Sequence, residues 1–246
     1  MTVAVRPLLL GWMTSARSGF LEGEPGMLRY PVPGFLCEHP DGLVVFDTGL
    51  HPDLATSSTR LRLLADLFEV EMGPEHTLTA QLGAIGIDPA DVDIAVLSHL
   101  HFDHTGGTAE LPNARVVVQR AEWEAAHDPG VIELGGSDPT TYDIGREVQL
   151  LDGGHDLFGD GSLELVPTVG HTPGHQSLLV NRDLMLVADA CYLAAGLARD
   201  HHPELAWDRD RQAETFAALR AAEADGVQLV FSHDVEQWER LPAVLT

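Results

Sequence analysis

The segment Ser98-His99-Leu100-His101-Phe102-Asp103-His104 places three histidines and one aspartate within six consecutive residues. It directly follows the apolar run Ile94-Ala95-Val96-Leu97, which is typical of a buried strand. Alternate residues of extended backbone point to the same side, so His99 and His101 can bind one metal ion. Asp103 and His104, displaced along the turn, can bind a second. This segment therefore predicts a two-metal site at the end of a strand.

Three further candidate ligands follow apolar strands or lie in a turn. His171 belongs to Gly170-His171-Thr172-Pro173-Gly174-His175, whereas Asp189 and His233 each follow a predicted strand. Taken alone, His171 and His233 would more often be ordinary turn histidines, and the cluster upstream is what favours them as ligands. Asp189 is favoured only by its position after an apolar strand. Histidine and carboxylate ligands in this ratio suit two borderline cations such as zinc, with Asp189 as a bridge. The candidate ligands are His99, His101, Asp103, His104, His171, Asp189 and His233. His175 is expected to orient the turn rather than to bind metal.

The rest of the chain alternates strand patterns with helical ones. Strands are predicted at residues 3–10, 35–37, 43–46, 94–97, 115–118, 163–167, 177–180, 184–188 and 227–231. Helical patterns occur at residues 61–68, 77–85, 121–126 and 209–224, with Thr77 as an N-cap. The glycine-rich stretch at residues 135–154 is predicted to be a surface connection. No low-complexity linker divides the chain, so we expect a single domain of residues 1–246.

The charge balance of the chain restricts its partners. Its 38 acidic residues against 14 basic ones give a formal net charge of −24. Such a surface repels polyphosphates, so we expect no nucleic-acid partner. It also disfavours strongly anionic substrates unless metal ions offset the field, although the acidity can equally serve solubility alone.

Cysteine content and hydropathy bear on the cellular location. Cys37 and Cys191 are too few for a secreted disulfide scaffold, and we expect both thiols to be reduced and buried. No apolar run reaches the roughly 18 residues that a spanning helix needs, and residues 1–10 fit a strand better than a signal peptide. We therefore expect a cytoplasmic protein that does not insert into membranes.

The H-x-H-x-D-H pattern, followed by later histidine, aspartate and histidine ligands, resembles the metallo-β-lactamase superfamily. Several flanking motifs are more narrowly similar to the N-acyl-homoserine lactonases. They are residues 98–107, residues 118–120 ahead of Glu122, and residues 172–178, 189–192 and 233–237. The resemblance extends from about Phe35 to the carboxy terminus and is weaker at residues 50–74.

This resemblance implies an α+β fold, a four-layer αββα sandwich of the metallo-β-lactamase type. It also implies two ligand sets that share Asp189 as a bridge: His99, His101 and His171 on one ion, and Asp103, His104 and His233 on the other. Asp47 would accept a hydrogen bond from a ligating imidazole. The implied catalytic residues are Tyr192, whose hydroxyl would lie beside the substrate carbonyl, and Asp103, which could move a proton to the leaving alkoxide.

The activity that the resemblance implies is hydrolysis of lactones, above all ring opening of N-acyl-homoserine lactones (quorum quenching). The nucleophile would be a hydroxide shared by two divalent metal ions, with zinc as the first choice. The expected partner is a small-molecule lactone, and a homodimer is a possible assembly. Leu67, Phe68 and Met72 could line an acyl-chain pocket or could equally pack on the core, and Phe102 is the stronger pocket candidate.

Several alternatives stay open at this point. The substrate could be another lactone, such as γ-butyrolactone or an aromatic-fused lactone. A glyoxalase II-like thioester hydrolase is less favoured, because such proteins usually add a helical substrate domain for which this chain is too short. A common dizinc β-lactamase would have a cysteine where Asp189 stands. A flavodiiron-type oxidoreductase would need a flavin domain and a glutamate in place of His101.

Overall fold

A computed structural model describes residues 2–203 and 206–246, and within these ranges the strands form two sheets. The strands of the first sheet are β1 (Ala4–Ala16), β2 (Met27–His39), β3 (Gly42–Phe46), β4 (Glu69–Glu71), β5 (Val92–Val96), β6 (Arg115–Gln119) and β7 (Val148–Leu151). Those of the second are β8 (His155–Asp156), β9 (Leu163–Pro167), β10 (Gln176–Val180), β11 (Leu184–Ala188) and β12 (Gln228–Phe231). The spatial order is β4-β1-β2-β3-β5-β6-β7 in the first sheet and β12-β11-β10-β9-β8 in the second.

The α-helices of the described ranges are mostly short. They are α1 (Leu78–Ala84), α2 (Phe102–Thr105), α3 (Arg120–Ala126), α4 (Pro129–Leu134), α5 (Pro139–Tyr142), α6 (Ala194–Arg199), α7 (Arg209–Ala224) and α8 (Val235–Trp238). Thr77 caps α1 by accepting a hydrogen bond from the Ala80 amide at 3.2 Å, which confirms the predicted N-cap.

The two sheets pack face to face over a shared apolar core. Val44 and Val96 of the first sheet and Leu178 of the second belong to one buried cluster. Leu82 of α1 packs on the outer side of the first sheet, and Phe216 of α7 packs on the outer side of the second. These four layers confirm the expected αββα sandwich.

Strand directions bring several loops to one end of the sandwich. β3, β5, β6 and β7 run parallel to one another, and β11 runs parallel to β12. Parallel strands end at the same edge of a sheet, so the residues that follow them become neighbours. Asp47, His99, Asp189 and His233 all lie at such strand ends.

The first two strands are much longer than predicted. β1 and β2 contain 13 residues each, because the pairing shifts register between Leu9 and Trp12 and then continues. Gly11 lies in this bulge with φ 140°. The bulge interrupts the ladder opposite Pro31 and Pro33, which is where a strand tolerates residues without an amide hydrogen.

Two predictions for the connecting segments are wrong. Most of the helical pattern at residues 61–68 lies in Ser58–Asp66, a 3-10 segment broken at Arg62 with φ 50° and ψ −120°. The Leu61 carbonyl packs against Gly135, where an added Cβ would lie 2.3 Å from it, so a tertiary contact overrides the local pattern. The predicted surface connection at residues 135–154 also contains α5 and β7, which pairs with β6.

Cys37 and Cys191 are both free and buried, as predicted. Among the described residues, no helix combines the length and the apolar character that crossing a bilayer requires.

Candidate metal centre

The seven candidate ligands converge at one end of the sandwich. His99 follows β5, and α2 carries Asp103 and His104 with His101 as its N-cap residue. His171 lies in the loop between β9 and β10, Asp189 directly follows β11, and His233 lies two residues after β12. His101 is half-buried and the other six are buried.

One group of ligand atoms consists of three imidazole nitrogens. His101 Nδ1 lies 3.0 Å from His99 Nε2 and 3.0 Å from His171 Nε2, and the two Nε2 atoms are 3.3 Å apart. His99 Nδ1 contacts the Ser98 hydroxyl at 2.9 Å, which leaves Nε2 directed at the other two rings. Three lone pairs that converge in this way are a suitable set for a cation.

A second group consists of Asp103, His104 and His233, whose ligand atoms also lie within 4.8 Å of one another. Asp189 stands between the two groups. Its Oδ1 is 3.4 Å from His104 Nε2 and 3.2 Å from His233 Nε2. Its Oδ2 is 3.7 Å from His99 Nε2 and 3.5 Å from His171 Nε2. Each oxygen of this carboxylate therefore faces a different ligand group.

The electrostatics of the centre also favour cations. Burial lowers the pKa of His99 and of His171 well below the ordinary histidine value, so both rings are neutral. Burial acts in the same direction on His104 and His233, but neighbouring carboxylates, Asp189 first, outweigh it and raise the pKa of both rings. Burial would raise the pKa of Asp189, yet the two imidazoles lower it well below its ordinary value. Buried carboxylates thus attract positive charge to a site that divalent cations can occupy.

The Nε2 atom of His104 shows whether these residues suit a metal ion. His104 Nε2 is buried and makes no hydrogen bond, although a buried polar atom without a partner is costly. Its other nitrogen, Nδ1, lies 2.8 Å from Asp47 Oδ2, and Asp47 also accepts hydrogen bonds from the Ser98 amide and hydroxyl. Asp47 therefore holds the proton on Nδ1 and leaves the Nε2 lone pair for a metal, so the residues fit a metal centre.

His233 and Asp189 are also held in place by neighbouring groups. His233 Nδ1 donates to the Pro31 carbonyl at 2.9 Å, which directs Nε2 into the site. His175 accepts from the Asp189 amide at 3.1 Å through Nε2, and its Nδ1 contacts the Thr168 hydroxyl at 2.8 Å. His175 thus links Asp189 to the loop before β10 and lies outside the two ligand groups.

Tyr192 lies at the edge of the centre. Its hydroxyl is 3.2 Å from His171 Nδ1. Burial, together with the charges of Asp189 and Asp103, raises the pKa of this phenol well above its ordinary value. The hydroxyl therefore keeps its proton and is able to donate it in a hydrogen bond.

An apolar cluster adjoins the centre. Phe68 and Phe102 meet edge to face with ring centroids 5.6 Å apart, and Met72 and Tyr192 pack against the same cluster. Leu67 is 59% exposed and lies outside this cluster. Phe68 and Met72, the other two pocket candidates of the same segment, belong to it.

The aromatic rings around Tyr192 and His233 were not predicted to belong to the site. The Phe20 ring lies 4.8 Å from Tyr192 and 4.6 Å from Tyr30, and Tyr30 lies 4.9 Å from His233. Phe20 and Tyr30 precede Phe35, near which the motif-based resemblance of the sequence begins. Their contacts join positions far apart in sequence, so no local pattern signals them.

Comparison with known proteins adds independent findings. Residues 29–233 match the family described as the Metallo-beta-lactamase superfamily. The chain is 37% identical over 235 residues to the N-acyl homoserine lactonase AttM of Azorhizobium caulinodans, covering 88% of this chain and 87% of that one. It is 30% identical over 233 residues to an N-acyl homoserine lactonase of a Bacillus species, covering 91% and 88%.

Solved structures agree with this similarity. An N-acyl homoserine lactone hydrolase with the product N-hexanoyl-L-homoserine bound at its catalytic metal center has a TM-score of 0.87 and 25% identity, with 98% of each chain covered. The dizinc quorum-quenching lactonase AidC has a TM-score of 0.74 and 17% identity, over 98% of this chain and 89% of that one. The similarity to AidC supports the fold alone.

Proposed function

The chain belongs to the metallo-beta-lactamase superfamily, and we propose that within it this protein is a metal-dependent hydrolase that opens N-acyl-homoserine lactones. The observation that carries the proposal is the Asp189 carboxylate, whose two oxygens face two separate groups of histidines. The relatives named as N-acyl homoserine lactonases, at 30% to 37% identity over most of the chain, support the substrate class.

We propose two divalent ions, preferably zinc, as the cofactor. Histidine nitrogens and carboxylate oxygens are ligands that zinc accepts readily, and the dizinc lactonase AidC shares the fold. The proposed sets are His99, His101 and His171 for one ion, Asp103, His104 and His233 for the other, and Asp189 for both. When bound, such a pair of cations ionises water at neutral pH and polarises a carbonyl oxygen.

The side chains of the protein supply the remaining steps. Tyr192, whose hydroxyl keeps its proton, donates a hydrogen bond to the carbonyl oxygen as negative charge develops on it. Asp103, whose Oδ2 lies 3.8 Å from His104 Nε2, would take up the proton that the attacking water gives up and pass it to the ring oxygen as the bond from the carbonyl carbon to that oxygen breaks. The product is an open-chain hydroxy acid, and the net charge of −24 favours its departure as an anion.

The acyl chain has an apolar surface available beside the proposed metals. Phe102 follows His101 directly, and its ring meets Phe68. Met72 extends the same surface. We propose that the acyl chain lies along these side chains while the lactone ring lies at the metals.

We further propose that residues 1–246 form one domain and that the protein acts in the cytoplasm. The free, buried state of Cys37 and Cys191 is in keeping with a reducing compartment. A homodimer stays a prediction.

The proposed function is tested by a substrate panel with metal content measured on the same sample. The panel contains long- and short-chain N-acyl-homoserine lactones, γ-butyrolactone, a thioester and a cephalosporin, and acid release is measured for each. We expect turnover of the acylated lactones above all others. Faster hydrolysis of the thioester or the cephalosporin would overturn the proposed lactonase activity. Faster hydrolysis of γ-butyrolactone would retain a lactonase but change its proposed substrate.

A further inference from the structure

Glu122 is a buried carboxylate that is not among the seven candidate ligands. It is 2% exposed and lies in the first turn of α3. Its Oε1 accepts a hydrogen bond from the Leu100 amide at 3.0 Å, and its Oε2 accepts one from the Gly174 amide at 3.0 Å. Each oxygen of the carboxylate thus holds a different loop.

The two loops are the ones that carry the three-histidine group. Leu100 lies between His99 and His101, and Gly174 lies three residues after His171. The separation of the two amides therefore bears on how closely His171 approaches the other two rings. Those rings now lie 3.0 Å to 3.3 Å from one another through their ligand nitrogens.

Both amides depend on Glu122 for their hydrogen bonds. Within residues 2–203 and 206–246, neither the Leu100 nor the Gly174 amide donates to a backbone carbonyl. A buried amide without an acceptor is costly, and a carboxylate is an acceptor-only group that can satisfy two donors at once. Both loops are therefore tied to the same side chain.

Close packing reinforces this arrangement on the Gly174 side. A Cβ added to Gly174 would lie 2.2 Å from the Glu122 nitrogen and 2.6 Å from its Cβ. The loop that follows His171 therefore rests directly on the start of α3, and only glycine permits the approach.

We infer that Glu122 is a positioning residue that sets the separation of the two ligand loops and thereby controls one of the two proposed metal positions. The inference rests on the proposed metal centre and is independent of which substrate is hydrolysed. It predicts a selective effect. Weakening the hydrogen bonds of this carboxylate should weaken metal binding by His99, His101 and His171 and leave metal binding at the other position unchanged.

Glu122→Gln is the test, since glutamine keeps the shape but replaces one acceptor oxygen with a donor that faces an amide hydrogen. We expect the more weakly held zinc ion of the variant to be released to a chelator at about 10- to 100-fold lower chelator concentration than in the parent protein. The other ion should be retained as in the parent. Glu124→Gln, on the exposed side of the same helix, should leave both ions unaffected.

A spectroscopic measurement identifies the ion that is lost. NMR of histidine ring nitrogens on the zinc-loaded protein should show His99, His101 and His171 losing the signature of metal ligation before His104 and His233. Unchanged zinc release in a folded Glu122→Gln variant would overturn the inference, as would equal weakening of both ions.

Where Glu122→Gln does not fold, hydrogen exchange in the parent protein replaces it. The Leu100 and Gly174 amides should exchange slowly, and rapid exchange at either would overturn the inference. A parent protein that binds two zinc ions but hydrolyses no lactone would instead overturn the proposed function and leave the role of Glu122 intact.

Discussion

Replacing Asp47 with asparagine removes the negative charge that orients His104 and keeps the shape of the side chain. Asp47 is buried and faces three donors: the Ser98 amide at 2.7 Å, the Ser98 hydroxyl at 2.8 Å and His104 Nδ1 at 2.8 Å. Asparagine has one acceptor oxygen and one donor nitrogen. At least one of these donors therefore faces another donor in the variant.

The magnitude follows from these contacts. Loss of a hydrogen bond to a charged group costs about 1.5–3 kcal/mol. Where the asparagine nitrogen faces His104 Nδ1, the ring must carry its proton on Nε2, which then cannot bind zinc. We expect zinc affinity to fall by about 10- to 100-fold, or about 1.4–2.8 kcal/mol. For a chain of this size, the melting temperature at fixed free zinc should fall by about 3–11 °C.

Zinc release to a chromogenic chelator and thermal denaturation in buffered zinc measure the two effects. Asp156→Asn is a matched control, because Asp156 also accepts from three donors, the amides of Phe158, Gly159 and Gly161. It lies on β8, at the opposite edge of the second sheet from β12. The control should lose stability with unchanged zinc affinity. Parental zinc affinity in Asp47→Asn would show that Asp47 is not needed to hold the proton of His104 on Nδ1.

Three other substitutions test the roles of Tyr192 and His101 and the backbone strain at Arg62. Tyr192→Phe should retain zinc and lose about 10- to 1000-fold in the rate of lactone hydrolysis, and an unchanged rate would remove Tyr192 from the mechanism. His101→Ala should abolish hydrolysis and lower the zinc content, so an active and fully loaded variant would contradict its assignment as a ligand. Arg62→Gly should stabilise the fold by about 1 kcal/mol in urea denaturation, because glycine accepts the φ of 50° without strain. Arg62→Ala should show no such gain, and an equal gain would mean that strain is not the cause.

Much of the candidate metal centre was predictable because its information is local. The His99–His104 cluster lies within six residues, and apolar runs before Asp189 and His233 identify the strands that deliver them. The apolar runs predicted individual strands, and the layered fold was implied by the family resemblance. Thr77 illustrates how a single side chain marks the start of a helix.

The remaining features depend on contacts between distant parts of the chain. The Gly174–Glu122 contact spans 52 positions, and the packing of Leu61 against Gly135 has no local sequence signal. The same packing explains why the helical pattern around Arg62 does not form a regular helix. The length of β1 depends on a bulge whose partner strand contains Pro31 and Pro33, a pattern that by itself argues against a strand.

Metal content and hydrolysis, measured on the same sample during chelation and zinc restoration, show whether bound metal ions are required for the reaction. We expect two divalent ions per chain in fully active protein, loss of acid release as the ions are removed, and recovery when zinc is returned. Full lactone hydrolysis by protein that contains no bound metal would contradict the account.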